Sequence, residues 1–352
     1  MNPPPPQIGC LAGMSWWKRA RIRRFFANGE APPHRRTAAA AVAVARRRSG
    51  AVAVWASRQP PGLTEVARAA GIEVWMVEDG FIRSVGLGSA LALPCSIILD
   101  RAGIYYDPSR PSDLETLLAT ALFPPELVER AERLARDIVA SGVTKYNLRG
   151  GPIDLPAGRR IVLVPGQVCD DRSVMLGGAG IGDMGELLAR VRAAEPDAFI
   201  LFKPHPDVDA GLRAGAIPDA EALLHADRVV RDADLTGLLD RVDAVHVLTS
   251  LTGFEALMRG REVIVHGHPF YAGWGLTRDL APPLPRRGRK LALAELVAAT
   301  LILYPLYLDP RTGRRCGPEE LVAALAGKRP GVDVKVRRLG GWLAARWRGI
   351  SA

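Results

Sequence analysis

The chain is short of several things, and each shortage narrows its class. Four cysteines in 352 residues, Cys10, Cys95, Cys169 and Cys316, lie far apart and form no CxxC pair. This argues against a disulfide framework or a zinc knuckle and for a reducing, cytoplasmic compartment. The longest apolar windows, near 38–45 and 296–308, are too short to span a bilayer. No secretory leader is expected, because the apolar run at 8–14 is short and precedes the positive charge instead of following it. No recognised nucleic-acid motif is found. An apolar content of 48% excludes general disorder, and the length allows two domains with real cores.

Acidic residues are scarce only at the ends. The net charge of +10 comprises +9 in residues 15–50 and +6 in 328–348, leaving −5 for residues 51–327. Both ends mix cations with aromatics: Trp16, Trp17, Phe25 and Phe26 in front, Trp342 and Trp347 behind. That mixture suits docking on an anionic membrane surface. Plain structural ends and a nucleic-acid arm are the rival readings, the second without a motif to support it.

Residues 1–14 are Pro-rich and read as a disordered tail. A basic amphipathic helix is expected over 15–28, then a loop to 50. Strands are expected at 51–56, 74–77, 96–100 and 103–106, and helices at 112–122 and 125–141, the latter bridging two halves. The second half restarts with strands at 160–164, 199–202, 244–248 and 262–266, separated by helices at 184–194, 235–242 and 254–259. Strands alternating with helices imply parallel sheets. The expected architecture is α/β, with two Rossmann-like domains facing across a cleft. The expected divisions are 15–142 on the acceptor side, 143–327 on the donor side, and a basic Trp-containing tail over 328–352.

The unusual loops follow the strands, where α/β sheets bind ligands. Thr249-Ser250-Leu251-Thr252-Gly253 leads into a helix, a pattern that can cradle a phosphate. Thr252 with Glu255 equally fits a capping box with no ligand. The loop at 268–275, with Phe270, Tyr271 and Trp274, is too aromatic for an ordinary turn. Lys203 and His205, separated by Pro204 and followed by Pro206, can neutralise and protonate a departing phosphate. Asp170 and Asp171 can serve as base, nucleophile or metal ligand, or simply cap a helix. Cys169 beside them reads as a small hydrophobe. Arg83 follows Glu78 and Asp79 and suits a carboxylate, either a ligand's or one of those two. Asp207/Asp209 and Asp232/Asp234 have the D-x-D form of metal-dependent sugar transferases; the second pair precedes a helix and reads as a cap.

The segments EDGFIRSVGLG (78–88), GIYYD (103–107), KYNL (145–148), PGQVCDDRS (165–173), KPHPD (203–207), TSLTGFEALMRG (249–260) and HPFYAGWGLT (268–277), taken together, resemble the bacterial capsular polysaccharide export proteins of the KpsC/LipB type. The resemblance runs over about residues 15–325. It implies a GT-B-like fold and a retaining β-Kdo glycosyltransferase. Such an enzyme uses CMP-β-Kdo to build a Kdo linker on a phosphatidylglycerol-type lipid at the cytoplasmic face of the inner membrane, alongside other capsule assembly and export proteins. The family typically carries two transferase modules. This chain holds one, and its motifs look more like the second. Asp171, in Gln167-x-x-x-Asp171, matches the nucleophile, with Asp170 as the fallback. His205-Pro206 matches the element holding the CMP phosphate, joined by Lys203, Ser250, Thr252, Gly253 and Glu255. Glu78, Asp79, Arg83, Tyr271 and Trp274 are the expected acceptor or Kdo contacts. Neither a metal nor a cofactor beyond the donor is implied. Alternatives are a GT-B transferase using another nucleotide sugar and a non-catalytic scaffold recruiting lipid-linked saccharide to an exporter.

Overall fold

The computed structural model describes residues 6–27, 30–89, 91–148, 150–213 and 215–327. The strands among them, in chain order, are β1 (Ile8–Ala12), β2 (His34–Arg35), β3 (Ala51–Trp55), β4 (Val74–Asp79), β5 (Ser96–Asp100), β6 (Ile161–Pro165), β7 (Phe199–Lys203), β8 (Arg228–Val229), β9 (Ala244–Val247), β10 (Glu262–Val265), β11 (Arg278–Asp279), β12 (Pro305–Leu308) and β13 (Arg315–Cys316). They form two sheets. One has seven strands in the order β13-β12-β5-β4-β3-β1-β2, the other six in the order β11-β10-β9-β6-β7-β8.

The second sheet is parallel throughout. Its strands carry apolar side chains on both faces, as burial between two helix layers requires. Counted from β6, its order is the 3-2-1-4-5-6 of a dinucleotide-binding fold, with the reversal between β6 and β9. The first sheet is mixed: β1 to β4 run parallel, whereas β5, β12 and β13 join by antiparallel pairs.

Five sequence expectations are corrected. Residues 8–12 are not part of a disordered tail but form β1, buried throughout and paired between β2 and β3. Gly9 makes this possible, since a Cβ there would stand 2.9 Å from the backbone of Ala45 in the helix Ala38–Arg47. That helix fills much of the expected loop before residue 50. The basic front end is a short turn, Trp16–Lys18, and a helix, Arg19–Phe25, whose Ile22 and Phe25 pack into the first domain's core. Residues 103–106 form a turn, burying Ile104 and Tyr106 without pairing to a strand. Finally, the division at 143–327 fails at its far end. The chain returns after Leu303, and β12 and β13 complete the first sheet. The tail over 328–352 lies outside the described residues.

The bridging helix Pro125–Ser141 forms as expected. Ala131, Leu134 and Ile138 face inward, and Gly142 ends the helix in the left-handed region at φ 64°. One apolar core runs through both halves. At its centre Phe81 meets Phe270 at 4.8 Å between ring centroids, and Tyr105 meets both rings. Glu115 with Arg286 and Arg287 ties the chain across the same boundary, and Arg130 with Glu319 (2.7 Å) fastens the returning end of the chain to the bridging helix. Among the described residues no helix is long and apolar enough to cross a membrane.

Candidate active site

Between the sheets lies a cleft of about 1540 Å³, lined from both sides by loops that follow strand ends. It gathers Asp171, Gln167, His205, Lys203, Pro206, Ser250, Thr252, Glu255, Glu78, Asp79 and Arg83. Residues separated by more than 170 positions meet there because parallel strands send their C-terminal loops to one edge.

The second domain's wall is built around its switch point. Gln167 follows β6 and Thr249 follows β9. The Gln167 amide nitrogen donates to Thr249 Oγ1 at 2.8 Å, and its oxygen accepts the Thr249 N–H at 2.8 Å. Thr249 Oγ1 donates to Ser173 Oγ at 3.4 Å. The Ser173 hydroxyl and N–H both donate to Asp171 Oδ1, at 2.8 and 2.9 Å. The donors thus run one way, amide to hydroxyl to hydroxyl to carboxylate, and each bond polarises the next. Among the described residues Asp171 Oδ2 has no hydrogen-bond partner. Asp171 also caps the helix Arg172–Gly177, so capping and exposure to the cleft coexist. Gln167, with both ends held by Thr249, positions the relay and does not reach for a substrate. Asp170 also lines the cleft but is paired with Arg213 at 2.7 Å.

His205 caps the turn at Pro206–Asp209, and its Nδ1 accepts the Asp207 N–H at 3.1 Å. Burial lowers its pKa, with Lys145 acting the same way and Asp207 opposing. The ring is therefore neutral near pH 7 and carries its proton on Nε2, making it a hydrogen-bond donor and not a cationic acid. Lys203 donates to the Arg231 carbonyl at 2.8 Å, and burial lowers its pKa against nearby acids. Asp209 pairs with Arg231 at 2.8 Å, and Asp234 caps the helix Leu235–Leu239.

The expected anion cradle is partly self-satisfied. The helix runs Thr252–Met258, with Leu251 and not Thr252 as its cap. Ser250 already takes three donors, its Oγ accepting the Thr252 N–H and its carbonyl the Gly253 N–H and the Tyr271 hydroxyl. No capping box forms. Instead the buried Glu255 Oε1 accepts the Lys145 N–H at 3.1 Å, and burial raises the Glu255 pKa. Gly253 does not face the cleft; it is glycine because a Cβ would overlap the Tyr271 phenol.

Two acceptor expectations fail here. Tyr271 and Trp274 are 0% exposed. The Tyr271 hydroxyl donates to the Ser250 carbonyl, and the Trp274 indole donates to the Phe270 carbonyl at 2.8 Å. Both support the loop from inside, leaving His268, Pro269 and Phe270 to face the cleft. An aromatic-rich loop signals a folded core as readily as a ligand surface.

The first domain's wall concentrates charge. Arg83, 1% exposed, ion-pairs with Asp79 at 2.7 Å and packs against Gly88, where any side chain would collide with it. Burial opposes ionisation of Asp79, but Arg83 and Lys18 outweigh it and hold its pKa below the carboxylate range. Glu78 next to it is pushed up to about 7 by burial and by the charge on Asp79. Lys18 is brought down to about 8, also by burial, with its ammonium 3.0 Å above the Trp55 ring. Arg83 is thus committed to Asp79, the alternative its sequence position had left open.

Sequence reasoning missed Lys145, Tyr105, Lys18 and Ser89. Lys145 and Tyr105 sat in noticed motifs, KYNL and GIYYD, but no local pattern gave them a role. Ser89 reaches across the cleft to Asp207.

The chain matches the model of the capsule polysaccharide biosynthesis protein family over residues 50–154 and 151–307. It is 40% identical over 315 residues to the capsule polysaccharide modification protein LipA of Neisseria meningitidis serogroup A, a match covering 89% of this chain and 44% of LipA. The chain therefore spans less than half the length of that relative. Among solved structures it is similar to the β-Kdo 2,4 transferase of Thermosulfurimonas dismutans KpsC, with TM-score 0.77 and 33% identity over 91% of this chain and 98% of the other. The β-Kdo 2,7 transferase of the same protein matches with TM-score 0.73 and 35% identity, over 90% and 98%. The fold is accordingly GT-B-like.

Proposed function

The chain belongs to the capsule polysaccharide biosynthesis protein family, and on that basis we propose that it is a retaining β-Kdo glycosyltransferase. Its donor is CMP-β-Kdo, and its acceptor a Kdo linker on a phosphatidylglycerol-type lipid. The observation that carries this reading is the relay ending on Asp171: one carboxylate oxygen held by Ser173, the other without a partner and in the cleft.

Retention needs two inversions, hence a carboxylate nucleophile. Asp171 Oδ2 attacks the anomeric carbon while the bond to the CMP phosphate breaks. The departing phosphate receives hydrogen bonds from His205 Nε2–H and from the hydroxyls of Ser250 and Thr252, with Lys203 and Pro206 shaping the same pocket. An acceptor hydroxyl then attacks the sugar from the opposite face, releasing Asp171. Glu78, brought close to neutrality by burial, takes the hydroxyl proton, and Asp79 with Arg83 fixes its surroundings. No step in this scheme calls for a metal or further cofactor.

A lipid acceptor brings the protein to an anionic membrane surface. Trp16 is 77% exposed beside Trp17, which lines the cleft, and exposed Arg23 and Arg24 follow on the next helix, Arg19–Phe25. Peripheral attachment there, on the cytoplasmic face of the inner membrane, delivers the acceptor to the first domain's wall. Other capsule assembly and export proteins are the expected neighbours.

The test is to incubate the protein with CMP-Kdo and short Kdo-lipid acceptors, reading product linkage by NMR and any sugar adduct on Asp171 by peptide mass spectrometry. A β-linked product with an Asp171 adduct is expected. Transfer only from another nucleotide sugar would replace the donor, and binding without transfer from any donor would make the chain a scaffold.

A further inference from the structure

The mechanism above leaves one charged group without a task. Lys145 lies where the chain passes from the first domain to the second, and its position is closely held. Its N–H donates to Glu255 in the second domain. Its carbonyl accepts from the N–H groups of Arg83 and Ser84 in the first, at 3.1 and 3.3 Å. Tyr146 accepts from Gly86 at 2.8 Å, and the Asn147 amide donates to the Ser84 carbonyl at 3.0 Å. The side chain lines the cleft.

Other cleft cations are engaged. Arg83 holds Asp79, Lys203 the Arg231 carbonyl, Arg213 holds Asp170, Arg231 holds Asp209, and Lys18 lies on Trp55. Arg172 also lines the cleft without an ion pair among the described residues, but it is exposed to solvent. The Lys145 ammonium has no ion pair within 4.0 Å among the described residues, only the Tyr146 ring at 5.4 Å. Yet its charge is felt on both walls, at Asp79 and Tyr105 on one and at Asp171 and His205 on the other. A desolvated cation near several acids, but bonded to none, is an arrangement completed by an anionic ligand.

We propose that Lys145 binds the carboxylate of an acidic sugar whose acid group is attached directly to its anomeric carbon. The inference rests on the functional reading above and names the group by which the site recognises its donor. The chemistry calls for such a cation. In a 2-keto sugar acid the carbon under attack bears a carboxylate, so an anionic nucleophile must approach an anionic centre. A cation between Asp171 and that carboxylate removes the repulsion and orients the ring with its anomeric carbon toward Oδ2. The nucleotide phosphate, departing from the opposite face, is served by His205 and Ser250 instead.

The experiment compares two donors, CMP-Kdo and its sugar-carboxylate methyl ester, on wild type, Lys145→Gln and Lys145→Arg, with CMP alone as the nucleotide probe. Binding is followed by calorimetry and turnover by CMP release. In wild type the ester should bind about 10–100-fold more weakly than the acid, the effect of losing one charge-assisted contact. Lys145→Gln should lower affinity for the acid by the same factor, leave the ester and CMP unchanged within about twofold, and be largely rescued in Lys145→Arg. Equal affinity of wild type for acid and ester overturns the inference and needs no variant. A parallel loss of CMP affinity in Lys145→Gln also overturns it, by assigning the lysine to the phosphate. Transfer from CMP-Kdo with no dependence on Lys145 removes the inference and keeps the function. If wild type does not turn over CMP-Kdo, the function falls, and the comparison of acid with ester still decides the inference.

Discussion

The two walls of the cleft are built from different materials. At its switch point the second domain's wall is a chain of neutral hydrogen-bonding groups ending on Asp171, with a neutral histidine close by, and the charged pairs Asp170–Arg213 and Asp209–Arg231 stand beside it. The first domain's wall is a cluster of buried charges, Lys18, Glu78, Asp79 and Arg83, that shift one another's proton affinities. A neutral relay fixes geometry without adding charge, which suits a wall holding a nucleophile beside a nucleotide. A charge cluster sets protonation states, which suits a wall that in the proposed reaction takes a proton from an acceptor hydroxyl.

Replacing Asp171 with alanine tests the donor wall most severely. Transfer should fall at least about 1000-fold, as for loss of a nucleophile, while the melting temperature changes by only the few degrees expected for a lost helix cap. Substantial residual transfer would move the nucleophile elsewhere. Next in size is Arg83→Leu, which leaves Asp79 partly buried without its partner. The expected loss is about 3 kcal/mol in a denaturant titration, and an unchanged midpoint would mean the charge cluster is not structural.

The third prediction concerns pH. Glu78 must be ionised to accept a proton, and its folded pKa is about 7. The rate should therefore fall as pH drops through 7, and Glu78→Gln should lower the rate and abolish that limb. The linkage sign is opposite for stability. A carboxyl whose pKa is raised on folding stabilises the fold below its unfolded value, and that contribution is lost as pH rises through 7. Glu78→Gln should thus flatten the stability profile over the same range. A rate profile without an acidic limb near 7 would move base catalysis off this wall. The smallest effect belongs to the rim: Trp16→Ala should reduce sedimentation with anionic vesicles a few-fold and leave turnover of a soluble acceptor unchanged. Removing residues 1–28 would test nothing about docking, because it deletes β1 from the first sheet.

Much of the candidate site's lining was legible because it lies in short motifs that begin where strands end. Gln167, Asp171, His205 and Ser250 fall on such loops, Lys203 ends the strand before one, and parallel topology delivers them to one edge. Reading failed where one residue type serves two purposes. Tyr271 and Trp274 sit in a loop that resembles a ligand surface, but they fill space beneath it. Arg83 was open between ligand and neighbour, and burial with Asp79 decided for the neighbour. The strand Ile8–Ala12 carried little signal, since Gly, Cys and Ala have weak strand preference and prolines precede it. Its pairing with β2 and β3 overrides that.

Local sequence alone determined the alternation of strands and helices, the helix cap at Asp234, and the polar groups at strand ends, because these depend on neighbours within a few residues. Tertiary structure decided the return of β12 and β13 to the first sheet, the burial of Tyr271 and Trp274, and the meeting of Lys145 with both walls. Those outcomes depend on contacts between distant segments, and short-range periodicity carries no information about which distant surface a side chain will find.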